Sequence, residues 1–505
     1  MNIIKKIDAW ALKEPTRQVY EYLDKTYTYG ELKQQSDALA NYLQQLALPQ
    51  QTPIMVYGGQ SFEMLVAFLG IVKANHAYIP IDMSSPAERV KVISEIAKPS
   101  LCIAVEQLAD NLITCDILDQ TKLQSILSQQ VPTPIESKAV FDDNFYIIFT
   151  SGTTGVPKGV QITHRNLASF CEWMLSDFAL PEKVTCLAQP PYSFDLSVMN
   201  LYPTLLLGGK LVALPKMITD DFKQLFEKLP TLGIQEWVST PSFIDLCMLD
   251  PKFKAENLPE LNYFLFCGEE LTHATATKLQ TRFPKAKIYN TYGPTETTVA
   301  VTAVEITPDI LAKYPRFPIG QAKKDTTIIL LDEDNQPLLD KQAQGEIAII
   351  GPSVSKGYLN NPDKTTAAFK QLNGQWVYKT GDLGEFDEAG QLLYKGRLDF
   401  QVKLHGFRIE LEDVDHHLNE VSLIEQAITV PKYDQNHKVS QLVAYVVPKE
   451  TTTLSQLELT KKIKAELTES MMFYMMPQRF IYVDSLPLTQ NGKIDRKSLT
   501  AEVNQ

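Results

Sequence analysis

The sequence lacks any block of consecutive Lys and Arg that would make an electrostatic footprint for DNA, and its 48 basic and 60 acidic residues leave a net charge of −12. Nucleic acid is therefore not an expected partner, and self-repulsion favours a monomer. Cysteine is scarce and scattered. The six residues, Cys102, Cys115, Cys171, Cys186, Cys247 and Cys267, form no C-x-x-C pair, which argues against a zinc site or a redox motif and fits a reducing compartment. Long apolar runs are missing too: the longest, Met64 to Val72, has nine residues, far short of the roughly 20 that cross a bilayer. The segment Met1 to Thr16 has no signal-peptide core. Instead Ile3, Ile4, Ile7 and Trp10 recur at helical spacing among Lys5, Lys6 and Asp8, the pattern of an amphipathic first helix. No repeat or low-complexity tract is visible. A cytoplasmic protein without membrane insertion is expected.

What is present is ordinary globular chemistry, 44% apolar and 21% charged over 505 residues. That length exceeds the roughly 250–300 residues at which single cores stop growing, so at least two domains are expected. Short β-rich runs alternate with helical patterns: Ile54 to Tyr57, Ser61 to Ala74, Ala77 to Ile81, Pro86 to Ala97. Such alternation is the sequence form of βαβ units, which predicts an α/β body of doubly wound sheets. Further strands are expected at Phe145 to Phe149, Lys210 to Leu214, Glu236 to Ser239 and Tyr263 to Phe266. From about residue 325 the pattern changes to strands and hairpin turns, as at Asp332 to Asn335 and Gly390. We expect an N-terminal domain over 1–398, with a β subdomain at 325–398, and a small mobile α+β domain over 399–505.

The sharpest motif is Thr150-Ser151-Gly152-Thr153-Thr154-Gly155-Val156-Pro157-Lys158-Gly159, directly after the apolar run Tyr146 to Phe149. Backbone N–H groups and hydroxyls in such a loop can face phosphate oxygens while Lys158 supplies positive charge. It is not a Walker A loop, because Gly159 follows the lysine where that motif needs Ser or Thr. A plain Ser/Gly linker would not need Pro157 and Lys158 set between glycines.

The loop resembles the signature of the acyl-adenylate-forming enzymes, the superfamily of acyl-CoA synthetases, luciferases and amino-acid adenylation domains. Other stretches resemble its motifs in the expected order: Tyr27 to Leu32, Gly70 to Asp82, Asn290-Thr291-Tyr292-Gly293-Pro294-Thr295-Glu296-Thr297, Tyr378 to Asp382, Gly396 to Asp399, and Asn491 to Arg496. The resemblance spans nearly the whole chain. It implies ATP and Mg²⁺ as cofactors and an ATP site of Thr150, Ser151, Gly152, Thr153, Lys158, Asn290, Thr291, Tyr292, Gly293, Pro294, Thr295, Asp382, Tyr394, Lys395, Gly396, Arg397 and Lys493. Tyr292 can stack on a purine, Thr295 can reach the α-phosphate and Glu296 can give an oxygen to Mg²⁺. Asp382 resembles the carboxylate that accepts both ribose hydroxyls. Lys493, with Glu296 and Thr295, is the expected catalytic set, since a positioned ammonium stabilises negative charge gathering on the α-phosphate. Asp399 stands where the superfamily has its hinge. The following Lys403-Leu404-His405-Gly406-Phe407-Arg408 resembles the loop that faces the large domain in the thioester-forming state, with Gly406 allowing close approach of a pantetheine arm. Taken alone, each of these would read as a surface turn or a solvated charge.

Asp195 stands where amino-acid adenylation domains place the acid that pairs the substrate ammonium; by itself it reads as a helix N-cap before Leu196 to Leu201. Cys267, with Met199, Val299 and Ala300, would leave room for little more than a methyl side chain. Lys493 is expected to touch the substrate as well. The strongest resemblance is to stand-alone ligases that activate D-alanine and pass it to a phosphopantetheinylated carrier protein for teichoic acid D-alanylation. The chain ends soon after Lys493 with no Ser-bearing carrier domain, which favours that reading over a peptide synthetase module. Adenylation of another small amino acid, an acyl- or aryl-CoA ligase and a nucleotide-binding regulator are the alternatives.

Overall fold

The computed structural model describes residues 1–505 except 110–111, 132–134, 136–139, 153–155, 341, 373, 436–437, 450–453 and 489–493. Its order of elements opens with the amphipathic helix Ile3–Lys13, whose Ile3, Ile4, Ile7 and Ala11 are buried. Two large sheets follow. One has the order Asp116–Leu118, Leu101–Ala104, Ile54–Gly58, Tyr78–Asp82, Asn144–Thr150 and Lys158–Thr163, parallel but for its last strand. The other runs from Gln321–Ala322 through Thr302–Glu305, Lys287–Tyr292, Tyr263–Phe266, Glu236–Ser239, Thr185–Ala188, Lys210–Ala213 and Gln18–Tyr22 to Lys25–Thr28. Antiparallel pairs at its two ends flank a parallel centre.

Apart from the half-buried Glu63, the helices Phe62–Lys73 and Leu196–Leu206 are buried throughout, which explains why neither shows a polar face in the sequence. Phe62–Lys73 touches strands of both sheets, so it fills the space between them. Its two charges lie at the ends the helix dipole favours, Glu63 in the first turn and Lys73 in the last. The ammonium is fully buried but satisfied by Asp8 at 2.8 Å, Asp37 at 2.7 Å and Ser36 at 3.0 Å. A buried cation with three acceptors ties the first two helices to the core.

An antiparallel sheet of Thr327–Leu331, Gly345–Ile350, Gln375–Phe386 and Phe369–Leu372, with Leu392–Arg397 paired to Gln375–Phe386, packs against the same core through Leu330, Ile347, Ile349 and Leu392. Beyond it the hairpin Gln401–Leu404 and Phe407–Glu410 leads into the helix Leu411–Glu420. The strands Ile424–Tyr433, Val439–Pro448 and Arg479–Tyr482 form a sheet, and the helices Gln456–Leu467 and Arg496–Val503 accompany it. These residues have cores of their own, built from 402–503 alone. The molecule is thus an α/β protein with a large N-terminal and a smaller C-terminal domain, the class read from the sequence.

Candidate active site

Neighbouring parallel strands place their C-terminal ends on one side of a sheet, and ligands of α/β proteins bind there. Tyr263–Phe266 ends at Cys267, and Lys287–Tyr292 ends at the Gly293-Pro294 turn. Asn144–Thr150 of the other sheet ends at the Ser/Gly loop. The turn after Tyr292 is tight: a Cβ on Gly293 would lie 2.5 Å from the Ala300 Cα. Thr298 and Val299, both β-branched, take φ of 63° and 66°, a left-handed geometry that costs about 1–3 kcal/mol per residue. Hydrogen bonds hold it, from Thr298 Oγ1 to the Ser353 carbonyl at 2.8 Å and from the Val301 N–H to the Tyr292 carbonyl at 2.8 Å.

Glu296 lies at the centre of this turn with no exposed surface. Its carboxylate accepts from Tyr358 Oη at 2.8 Å and from Arg408 Nη1 at 2.7 Å. Burial alone would raise its pKa, but the Arg408 guanidinium and Lys158 outweigh it and hold it down to about 2. Lys158 Nζ stands 3.9 Å from Glu410 and over the Tyr358 ring. Burial, then Arg408, pull its pKa down. Ser151 Oγ donates to the Arg408 carbonyl at 2.9 Å, while Thr150 Oγ1 is buried without a partner among the described residues. Such an orphan hydroxyl beside a glycine turn is what a phosphate oxygen would satisfy. Arg408 and Glu410 come from the C-terminal hairpin, so that domain closes over the loop.

Asp195 is 7% exposed and stands at the N-cap position of Leu196–Leu206 but makes no side-chain cap bond. Its carboxylate faces Thr295, and no ion pair holds it among the described residues. Burial pushes its pKa up to about 6, with Thr295, Arg408 and Lys403 opposing. Met199, Val299 and Ala300 are buried, and Cys267 Sγ lies 3.7 Å from the Val299 carbonyl. Burial raises the Cys267 thiol, which makes it a small apolar wall rather than a nucleophile. The arrangement can take a small group carrying a cation.

Asp382 is joined by Tyr292 Oη and by Arg397 Nη1, the latter at 2.9 Å. Arg397 also bonds Asp399, through Nε at 2.7 Å. Tyr394 lies under the Arg316 guanidinium, Lys395 is exposed and pairs with Glu385 at 3.2 Å, and the space beyond Gly396 is open. Two expected ATP residues spend their side chains on the frame: Asn290 Nδ2 donates to the Pro318 carbonyl and Thr291 Oγ1 to the Phe266 carbonyl. They set the strand's position; contact with a ligand would fall to their backbone. Pro294 precedes the one-turn helix Thr295–Thr297. Thr153 and Lys493 lie outside the described residues.

The hairpin tip carries the domain contact. Gly406, at φ 85°, donates its N–H to Glu269 Oε1 at 2.7 Å, and Lys438 stands 3.2 Å from the same carboxylate. A Cβ on Gly406 would lie 2.1 Å from Thr240 Cγ2. The close approach is therefore to the large domain itself. Phe407 packs near Phe194 and stacks on Tyr474 at 3.9 Å. Sequence reading gave no role to Tyr358, Glu269, Glu410 or Asp413. A glycine between charged residues at 405–410 was the available sign for the hairpin; nothing local marks Tyr358 as the partner of Glu296.

The AMP-binding enzyme family matches residues 7–359 and its C-terminal domain matches residues 413–493. The chain belongs to this family of AMP-binding enzymes, which use ATP. Among curated proteins it is 57% identical to a D-alanine--D-alanyl carrier protein ligase of Lactiplantibacillus plantarum, covering 100% of this chain and 99% of that one. A ligase of the same name from Streptococcus agalactiae is 50% identical, again over 100% and 99%. Within the AMP-binding enzymes the chain thus falls among the D-alanine--D-alanyl carrier protein ligases. Among solved structures, an NRPS protein containing adenylation and PCP domains bound to a vinylsulfonamide inhibitor superposes with a TM-score of 0.83 at 27% identity, covering 99% of this chain and 84% of that one. The Vibrio cholerae adenylation domain AlmE, in complex with glycyl-adenosine-5'-phosphate, shares the fold at a TM-score of 0.82 and 22% identity, over 99% and 97%.

Proposed function

We infer that the chain is a ligase that activates D-alanine as D-alanyl-AMP at the expense of ATP and passes it to the phosphopantetheine thiol of a carrier protein, for teichoic acid D-alanylation. The observation that carries the reading is Asp195, a buried carboxylate that makes no side-chain cap bond and, among the described residues, forms no ion pair. An acid taken from water without a cation is unstable, so the site is complete only when an ammonium binds. Cys267, Met199, Val299 and Ala300 then leave room for a methyl group. The names of relatives at 50–57% identity point to D-alanine.

In the first step an oxygen of the D-alanine carboxylate attacks the α-phosphorus, the bond to the β-phosphate oxygen breaks and pyrophosphate leaves. Thr295 and Lys493 face the charge that gathers on the α-phosphate. Asp382, freed from Tyr292, would accept the ribose hydroxyls, with Tyr292 and the open face at Gly396 bounding the nucleoside. Glu296 fits Mg²⁺: it is a hard oxygen donor, ionised in place and held by one exchangeable cation, Arg408. No cluster of three acidic, Cys or His ligands exists among the described residues, which suits an ion that arrives with the triphosphate. The ion would neutralise phosphate charge there. In the second step the carrier thiol attacks the acyl carbon and AMP leaves.

The domain orientation described here, with residues 403–408 against the large domain, suits the second step, and Asp399 is the proposed pivot. Pyrophosphate exchange with D-alanine, L-alanine, glycine and short fatty acids tests the substrate. Exchange with D-alanine well above the others is expected, and a preference for a fatty acid would overturn the reading. Gly406→Ala tests the orientation. Its Cβ meets Thr240 only when the domains are docked, so thiol transfer should slow by about 1–2 kcal/mol, roughly 5- to 30-fold, with exchange unchanged. Equal losses in both steps would separate this docking from transfer.

A further inference from the structure

Apart from the hairpin, a second turn of the C-terminal domain reaches the large domain. Lys438 stands on the turn between Ile424–Tyr433 and Val439–Pro448, which is closed by the Asp434 N–H on the Lys438 carbonyl at 2.8 Å and by the Lys438 N–H on Asp434 at 2.9 Å. Its ammonium donates to Ser242 Oγ at 2.7 Å and pairs with Glu269 at 3.2 Å, both residues of the large domain. Asp245 lies within electrostatic reach of the same ammonium. Glu269 is engaged on both oxygens: Oε2 accepts the Ser242 N–H at 3.0 Å and Oε1 the Gly406 N–H at 2.7 Å. The Ser242 bond lies wholly within the large domain, so the carboxylate is aimed before the C-terminal domain arrives. Gly406 and Lys438 then complete it, one from the hairpin and one from the turn.

We propose that Glu269 and Lys438 are positioning residues for the transfer step, a charge pair made only across the docked domains that fixes the angle at which the C-terminal domain sits on the large one. The proposal rests on the ligase reading. Gly406 and Arg408 belong to one hairpin, so their contacts alone leave the domain free to swing about it. A contact from a separate turn removes that freedom. The pair suits the task because it is nearly dry, with the Glu269 side chain 2% and the Lys438 side chain 16% exposed. Charges shielded from water attract more strongly than a surface pair does. The same dryness penalises a wrong angle: a Glu269 covered by the hairpin but not met by Lys438 is a desolvated carboxylate without its cation. Partly docked arrangements therefore cost more than the open or the fully docked one. Glu269 follows Cys267 by two residues, so the angle is set beside the pocket wall, where the acyl carbon must meet the thiol.

The test separates the two half-reactions. In K438M, single-turnover transfer from preformed D-alanyl adenylate to the carrier thiol should slow about tenfold, while D-alanine-dependent pyrophosphate exchange stays at the native rate. K438R keeps the charge and should recover most of the transfer rate. The E269Q/K438M double variant should transfer no more slowly than the slower single variant, because the pair is already broken. A lysine that only supports the fold would slow exchange and transfer together. A second readout needs no substrate: energy transfer between dyes on cysteines placed at Leu249 and Leu457, exposed positions of the two domains, in a full chain carrying C115A, the other five cysteines being buried. K438M should lower the docked signal. Native transfer by K438M overturns the proposal, as do equal losses in exchange and transfer, additive losses in the double variant, no recovery by K438R, or a docked signal that K438M leaves unchanged. Absence of D-alanine-dependent exchange in the native chain would instead sink the ligase reading, and the dye signal would still judge the charge pair.

Discussion

Asp195→Ala lowers kcat/KM for D-alanine in pyrophosphate exchange by about 10²- to 10³-fold. The ammonium of the substrate leaves water for a buried site, and losing the partner of a buried ion pair costs about 3–5 kcal/mol. The loss should be specific. Because the Asp195 side chain makes no cap bond to Leu196–Leu206, its removal does not unravel the helix that carries it. The pH dependence has a definite sign. Burial holds the Asp195 proton up to about pH 6 in the free protein. Below that pH the acid is neutral and cannot pair an ammonium, so kcat/KM for D-alanine should fall about tenfold per pH unit beneath about 6. Stability runs the other way. A carboxyl whose folded pKa is raised is harmless while protonated, below the ordinary aspartate value, and destabilises as pH rises through the folded value. Asp195→Asn should thus melt higher than the native chain at pH 7, by on the order of 2–3 kcal/mol of stability. A D195A protein that still exchanges with D-alanine at native efficiency, or a D195N protein less stable at pH 7, would remove Asp195 from the ammonium site.

Much of this was legible before any coordinates. Strands at Glu236–Ser239 and Tyr263–Phe266 fall where the apolar runs put them, because a central parallel strand is buried on both faces and reads as a short apolar block. The helix after Ser61 was equally plain, with a hydroxyl cap ahead of an apolar run. Pairing across distance was not legible. Glu296 meets Arg408, 112 residues on, and Tyr358, 62 residues on. Periodicity says which face of an element is buried but not which side chain waits there. Asn290 and Thr291 show the converse, where the motif suggested ligand contact while the amide bonds the Pro318 carbonyl and the hydroxyl the Phe266 carbonyl of the neighbouring strand. A polar residue in a core strand has to be satisfied by something, and sequence alone does not say whether by the frame or by a guest.

Lys493→Ala should cut D-alanyl adenylate formation by about 10²- to 10³-fold, the loss seen when one preorganised charge-stabilising donor is removed from a transition state. ATP binding should be nearly unchanged, because the charge it answers develops only as the carboxylate attacks. Transfer of D-alanine from supplied D-alanyl adenylate to the carrier thiol should proceed at the native rate. Lys493 itself lies outside the described residues. Leu486 and Ile494, on either side of it in sequence, pack with Ile428, Val430, Val443 and Tyr445 on the sheet of the C-terminal domain. With Gly406 seated on Thr240 and Arg408 on Glu296, a different segment of the same domain occupies the site. On the proposed cycle one domain serves two steps with two faces, and the two variants should fail in opposite ways: K493A in adenylation with transfer intact, G406A in transfer with adenylation intact. Measuring both partial reactions on both variants decides the matter. If K493A slows transfer from preformed adenylate as much as it slows adenylation, the lysine acts on the fold and not on the phosphate, and the division of labour between the two faces fails with it.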